Sequence, residues 1–559
     1  MKEFPWFKFY PKSIPQTVDV EAYPSVVGLF EECVQKYGDT VAYECMGKTL
    51  SFHEVDQLSK DFASYLQNEL KLQKGDRIAI QMPNLLQYPV AMFGALRAGL
   101  IVVNTNPLYT PHEMKHQFQD AEISAVVIVA NFASNLEEIL LQLDVKHVII
   151  TEIGDLLGGL KGGIVNFVVK YIKKMIPSYN LPHAIKFKET LNIGSHYSLQ
   201  AVDLSLDDTA YLQYTGGTTG VSKGAELTHG NIIANMQQIS AWMRPKLKEG
   251  EELVVTALPM YHIFALTVNC LAMLKIGAHN LLITNPRDMK AFCKDLRKHK
   301  FSVITGVNTL FNGLLNQASF RSLDFSYLKI SVGGGMAVQK YVAEKWTSVT
   351  GTPLAEGYGL TETSPVACCN PIDGTERIGT IGLPLPNTEV KVIDDEGNEL
   401  PNGEKGELCI KGPQVMKGYW NRPKETEGVL LNDWLKTGDI AIITDDGFIK
   451  IVDRKKEMIL VSGFNVYPNE VEDAIATHDK VIEVGVIGMP DKQSTEKVIA
   501  YVVPNDNSIT PAEIIKHCRE SLTNYKVPRE VYFVDELPKS NVGKILRRII
   551  KEDHIKKSA

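Results

Sequence analysis

The 559-residue chain has no uninterrupted apolar run of about 18 residues, so no membrane-spanning helix is expected. Its opening stretch, MKEFPWFKFYPKSIP, carries prolines and lacks the continuous apolar segment of a secretory signal. No CxxC pair occurs among the eight cysteines, and only Cys368 and Cys369 are adjacent. That scatter argues against a disulfide frame and for reduced thiols in a cytoplasmic protein. Positive charge is not in excess: 59 Lys and Arg against 66 Asp and Glu leave a net −7, which offers nucleic acid no general attraction. With no zinc-finger or RNP-type pattern either, nucleic acid is not an expected partner. No short repeat is present.

What is present begins with length, which is too great for one ordinary core and calls for at least two domains. The most unusual stretch is YTGGTTGVSKG at 214–224. Gly216, Gly217 and Gly220 free the backbone to converge its N–H groups on an anion. Thr215, Thr218 and Thr219 add hydroxyls, and Lys223 adds a cation. The pattern predicts a phosphate loop set between a strand and a helix over HGNIIANMQQISAWM. It is not a Walker A loop, because Ser222 precedes Lys223 and Gly224 follows it.

Taken in order, residues 1 to about 205 alternate helical patterns with short apolar strands such as RIAIQM, AVVIVA and HVIIT, an α/β layering. A second α/β unit is expected from about 206 to 380, with LVVTALP, NLLIT, SVITGV and KISVGGG as its strands. Strand patterning with Asp-Gly turns over 384–412 predicts a β-rich subdomain. Beyond DRKK at 453–456, about 100 residues of mixed strands and helices predict a separate α+β domain. The expected division is 1–455 and 456–559, the smaller part being mobile. Over 162–176, Asn166, Lys170, Lys173 and Lys174 share one helical face, and Ile164, Val168, Ile172 and Met175 the other, with Pro177 closing the helix. Two readings stay open: an ordinary helix with its apolar face on the core, or one that meets anionic headgroups.

Five blocks in fixed order carry a resemblance across most of the chain. They are the loop ending in Lys223-Gly224, PMYHIFA at 259–265, EGYGLTE at 356–362, the region from WLKTGDIA through IVDRKKEMILVSGFNVYPNEVE (434–472), and PKSNVGKILRR at 538–548. Together they resemble the adenylate-forming superfamily of acyl-CoA synthetases, and within it the bacterial long-chain fatty-acid CoA ligases. The resemblance implies ATP-dependent conversion of a fatty acid to acyl-AMP with release of pyrophosphate, then thioester formation with CoA and release of AMP. A neighbouring alternative is a fatty-acyl-AMP or aryl-acid ligase serving another acceptor.

Roles implied by the resemblance follow residue by residue. Thr215, Gly216, Gly217, Thr218, Thr219, Gly220 and Lys223 would cradle the β- and γ-phosphates. Gly333, Gly334, Gly335 and Tyr358 would form the adenine pocket, Glu356 and Gly357 would also bind ATP, and Asp439 and Arg454 would hold the ribose. Glu362, with Thr218, would bind Mg2+, and Thr361 would sit beside the α-phosphate. His262 resembles the histidine near the acyl carboxylate, although a buried core histidine reads equally well from the residues alone. Lys544 resembles the catalytic lysine, a cation bridging carboxylate and α-phosphate as they approach. Lys456 falls at the hinge position, and Gly463 and Phe464 in the strand that lines the CoA channel. Residues 432–456 resemble the fatty-acyl-CoA synthetase signature but depart from it at Asn432 and Asp433, where Asp-Gly is usual, and at Ala441, Ile443 and Asp445, where Gly, Trp and Pro are usual, which leaves chain-length preference unread. A cytoplasmic location, with a peripheral position on the inner membrane face and a homodimer both left open, completes the expectation.

Overall fold

The computed structural model describes residues 4–215, 222–491, 493–506, 508–540 and 543–558. Four sheets organise them. An eight-stranded sheet runs, in spatial order, Gly418–Tyr419, Lys223–Thr228, Thr209–Thr215, Ile101–Asn104, Arg77–Gln81, Ala125–Val129, His147–Thr151 and Ile185–Lys186. Its central members are parallel and buried on both faces, which is why RIAIQ and AVVIV read as near-continuous apolar runs rather than alternating ones. A nine-stranded sheet collects Leu253–Thr256, His279–Leu282, Val303–Gly306, Ile330–Gly333 and Leu354–Gly359, with the hairpin of Val41–Cys45 and Lys48–Ser51 at one edge. Both sheets share one large apolar core.

The expected break near 205 is not where the sheets divide. Thr209–Thr215 pairs in parallel with Ile101–Asn104, Tyr211 opposite Val102, so this segment completes the first sheet while the early hairpin crosses to the second. The strand, loop, helix expectation is also corrected. Lys223–Thr228 is a strand antiparallel to Thr209–Thr215, with Thr215 opposite Lys223, so the strands on either side of 216–221 pair as a β-hairpin. The helix starts only at His229, where Thr228 Oγ1 accepts from Asn231 N–H at 3.1 Å and Asn231 Oδ1 returns the contact at 3.0 Å. Residues 216–221 themselves lie outside the described residues, and with them Gly216, Gly217, Thr218, Thr219 and Gly220.

The β-rich subdomain is a five-stranded sheet of Glu389–Ile393, Lys405–Lys411, Leu430–Leu431, Trp434–Ile443 and Ile449–Arg454. Asn432 and Asp433 both take left-handed backbone angles in its tight turn, so the departure from Asp-Gly is absorbed by two residues that tolerate φ > 0. After the turn at Lys455–Glu457, Ile459–Val461 opens the last five-stranded sheet, which has its own apolar clusters on two faces.

The helix of the 162–176 segment is oriented opposite to its ordinary structural reading. It spans Gly159–Phe167 and continues through Val168–Ile172, ending before Pro177. Gly162 packs on Gly154 so closely that a Cβ there would lie 2.3 Å from the Gly154 carbonyl oxygen. Asn166 faces the same way, its Oδ1 accepting from Gly154 N–H at 2.7 Å. The body is therefore met by glycine, asparagine and Val165, and most of the larger apolar residues are left outside: Leu160 is 83% exposed, Phe167 56% and Ile172 65%, with Ile164, Tyr171 and Met175 also exposed.

Candidate active site

A cavity of about 2080 Å³ lies where the first three sheets meet the C-terminal sheet. The hairpin brings Thr215 and Lys223 to its wall. Opposite stands the end of strand Leu354–Gly359 with the short helical turn Thr361–Thr363. Gly359 is required there by close approach, since a Cβ would fall 1.8 Å from the Pro365 carbonyl oxygen. The turn places Thr361 and Glu362 at the wall. Glu362 Oε1 accepts from Tyr419 O–H at 2.7 Å, and Lys223 Nζ lies 5.1 Å from the centre of the Tyr419 ring. Tyr419 thus ties the carboxylate to the hairpin cation. No group of three or more His, Cys, Asp or Glu able to hold a metal by itself is found among the described residues. A carboxylate beside the Lys223 cation fits Mg2+ brought in with a phosphate ligand, because that ion takes one or two protein carboxylates and draws its remaining ligands from phosphate and water.

A smaller pocket of about 170 Å³ adjoins the cavity, sharing Gly335, Gly357, Tyr358, Arg454 and Lys544 as wall residues. Gly334 and Gly335 border the cavity, whereas Gly333 lies beneath them, where a Cβ would meet Val338 at 2.5 Å; it supports the loop rather than lining the site. Glu356 accepts from Val338 N–H at 3.2 Å, and burial pushes its carboxyl up to about 8, so it is mostly protonated at neutral pH and can both donate and accept. Asp439 accepts from Tyr358 O–H at 2.5 Å on one oxygen and lies 3.0 Å from Arg454 Nε on the other. The three expected ribose and adenine contacts form one group joined by a hydrogen bond and an ion pair, with the carboxylate held from both oxygens and lone pairs to spare.

His262 borders the cavity with Nδ1 accepting from Phe264 N–H at 3.3 Å. Burial draws its pKa down to about 4. It is neutral at pH 7, and an accepting Nδ1 puts the proton on Nε2, a donor suited to a carboxylate. The rest of this wall is apolar, with Ile239, Trp242, Met243, Val268, Cys369 and Ile372.

Lys544 comes from the other side. Ser540 N–H donates to the Lys544 carbonyl at 2.7 Å, and Gly543 sits at φ +84°. Thr309 Oγ1 donates to the Gly543 carbonyl at 3.2 Å, tying Gly543 to the helix Asn308–Leu315. Burial, and next the Arg454 guanidinium, pull Lys544 down to about 8. Lys456 reaches the cavity wall from the turn. Gly463 and Phe464 do not border the cavity: Gly463 lies in a turn at φ +84°, and Phe464 is 56% exposed and stacked on Tyr525 at 4.8 Å.

The model of the AMP-binding enzyme family matches residues 30–420, and that of the AMP-binding enzyme C-terminal domain matches 470–544. The chain belongs to the AMP-binding enzyme family. Among curated relatives of this AMP-binding enzyme, a long-chain-fatty-acid–CoA ligase of Yersinia pestis is 55% identical, covering 99% of this chain and 98% of its own. One of Escherichia coli O6:H1 is 55% identical, covering 98% of each. Among solved structures, the anthranilate CoA ligase AuaEII in complex with anthranoyl-AMP has a TM-score of 0.85 at 22% identity, covering 96% of this chain and 99% of its own. MatB of Rhodopseudomonas palustris is 27% identical, with coverage of 94% and 99%; its ATP-bound structure scores 0.80 and its apo structure 0.71.

Three participants were not read from the sequence. Tyr419 sits in GYW at 418–420, a two-residue strand with no periodicity; the only local signal is an aromatic pair beside a glycine. Asp453 was passed over beside Arg454, as was the partner role of Arg547.

Proposed function

We propose that this AMP-binding enzyme is a long-chain fatty-acid CoA ligase. The observation that carries the reading is one cavity joining Lys223, Glu362 and Lys544 at a polar end to His262 and an apolar wall at the other. In the first half-reaction Lys223 and the hairpin hold the β- and γ-phosphates, and the hydrogen-bonded Tyr358, Asp439 and Arg454 fix the nucleoside. His262 donates from Nε2 to the fatty-acid carboxylate, and the Lys544 ammonium sits between that carboxylate and the α-phosphate, offsetting their repulsion as they close. Glu362 would hold Mg2+, which when bound neutralises charge on the phosphate oxygens. Pyrophosphate leaves and acyl-AMP remains.

CoA must then reach a site that Lys544 blocks. We infer that residues 456–559 turn about Lys456, withdrawing Lys544 and bringing Gly463 and Phe464 to the cavity for thioester formation. The present orientation supports this as the adenylation state: Lys544 borders the nucleotide cavity, Phe464 does not, and the match to ATP-bound MatB exceeds that to apo MatB. The test is a product assay over fatty acids of graded length with ATP and CoA. Long acids should give acyl-CoA, AMP and pyrophosphate; acyl-AMP that persists with CoA present would favour transfer to another acceptor.

A second reading concerns location. The exposed stripe of Leu160, Ile164, Phe167, Tyr171 and Met175 is flanked by Lys161, Lys170, Lys173 and Lys174. An apolar face edged with lysines suits a bilayer with anionic headgroups, where fatty acids dissolve. We propose a cytoplasmic enzyme that rests peripherally on the inner membrane face through this helix.

A further inference from the structure

Beside Lys544, where Arg547 and Glu457 also border the cavity, one side-chain cluster straddles the turn at Lys456. Arg547 opens the last helix, Arg547–Ser558, and is ringed by carboxylates. Nε and Nη2 hold the two oxygens of Glu472 at 2.8 and 2.6 Å. Nη2 also donates to Asn469 Oδ1, and Nη1 to Glu457 Oε2. These partners lie beyond Lys456 and travel with Arg547. Asp453 does not: it belongs to strand Ile449–Arg454, opposite Ile440 in the third sheet, and its Oδ1 lies 3.3 Å from Arg547 Nη1. Its Oδ2 accepts from Asn469 N–H at 2.8 Å. The Asp453 side chain is completely buried, and burial pushes its carboxyl up to about 6 against the pull of Arg547.

We propose that Asp453 and Arg547 form a latch that holds the C-terminal domain with Lys544 in the cavity, and that its strength sets how the enzyme divides its time between the two half-reactions. The inference rests on the two-orientation ligase reading above. A buried carboxylate needs a cation and hydrogen bonds to remain ionised. Rotation about Lys456 carries away both the Arg547 guanidinium and the Asn469 N–H, while Arg547 keeps Glu472 and Glu457. The buried Asp453 carboxylate then keeps the Arg454 N–H on Oδ1 at 2.7 Å but has lost its cation, and the Asn469 N–H loses its acceptor. Nearby contacts between the same parts, Thr309 to Gly543 at 3.2 Å and Asn312 to the Ile482 carbonyl at 3.2 Å, are single neutral hydrogen bonds. A charge-assisted contact is about twice as strong as such a bond, which makes it the strongest single one of these three contacts. Neither residue is placed on reacting atoms; both are positioning residues.

Asp453→Asn tests this, because it keeps an oxygen for the Asn469 N–H and removes the charge facing Arg547. Full-length protein is assayed for fatty-acid-dependent exchange of pyrophosphate into ATP, and separately for conversion of supplied acyl-AMP and CoA to thioester. The exchange is expected to fall about tenfold, as loss of a charged hydrogen bond implies, while the thioester step is unchanged or faster. Arg547→Gln should shift the ratio the same way, but it strips Glu472 of its partner too, so the Asp453 variant decides if that protein does not fold. Parallel loss of both half-reactions in Asp453→Asn, or an unchanged ratio, would overturn the latch. Wild-type protein lacking both half-reactions would instead remove the ligase reading on which the latch stands.

Discussion

Lys544 should impose an alkaline limit on the first half-reaction and none on the second. Burial and the Arg454 guanidinium draw its ammonium from an ordinary lysine value of 10.5 to about 8. A lysine is charged below its pKa, so the bridging cation is present at neutral pH and lost as pH rises through about 8. With that value about nine in ten molecules carry the proton at pH 7 and about one in ten at pH 9, a roughly tenfold fall. The second-order rate constant is the quantity to follow, because it reports ionisation in the free enzyme before nucleotide phosphates raise the lysine again. Pyrophosphate exchange, measured from pH 7 to pH 9.5 at limiting ATP, should bend downward near pH 8. Lys544→Arg should lose that bend, since its guanidinium stays charged throughout, even if its rate is lower. Lys544→Ala should lower exchange on the order of a hundredfold or more and flatten the profile. Conversion of supplied acyl-AMP to thioester should show no such bend in any of the three proteins. A shared alkaline limb in both half-reactions, or none in either, would refute the assignment of this cation to adenylation.

Glu362→Gln keeps the oxygen that accepts from Tyr419 and removes one charge, so exchange should collapse and rising Mg2+ should restore part of it; undiminished exchange would dismiss Glu362 as the metal ligand. Lys456→Pro should leave exchange intact and depress the thioester step, because proline fixes φ near −65° and resists rotation at the turn; the reverse pattern would move the hinge elsewhere. Replacing Ile164 and Phe167 by Glu should reduce co-sedimentation with anionic vesicles and leave turnover of a short soluble acid unaffected, whereas unchanged binding would show that the exposed stripe serves no membrane.

How far the sequence was legible depends on what kind of signal each residue carries. Lys223, Thr361, Glu362, Tyr358, Asp439, Arg454 and Lys544 lie in motif blocks, and the fold brings all of them to two adjoining pockets. Strand positions were equally readable where apolar runs were short and bounded. Pairing was not: nothing in KGAELT announces that it folds back on Thr209–Thr215, a long-range choice made by the hydrogen-bonded register. Helical periodicity at 162–176 revealed two faces without saying which one turns inward. That was decided by Gly162, whose missing side chain lets the helix sit against Gly154, leaving the larger residues outside. Tyr419 and Asp453 were opaque for a related reason. Each acts through a partner remote in sequence, Glu362 for one and Arg547 for the other.

The central claim is that one cavity activates a long-chain fatty acid through acyl-AMP and delivers it to CoA. The measurement that tests it most directly is the stoichiometry of a single reaction mixture holding a long-chain fatty acid, ATP, Mg2+ and CoA. The account predicts acyl-CoA, AMP and pyrophosphate in equal amounts, with pyrophosphate exchange dependent on the fatty acid when CoA is omitted. Formation of ADP, or consumption of ATP without any CoA thioester, would contradict it.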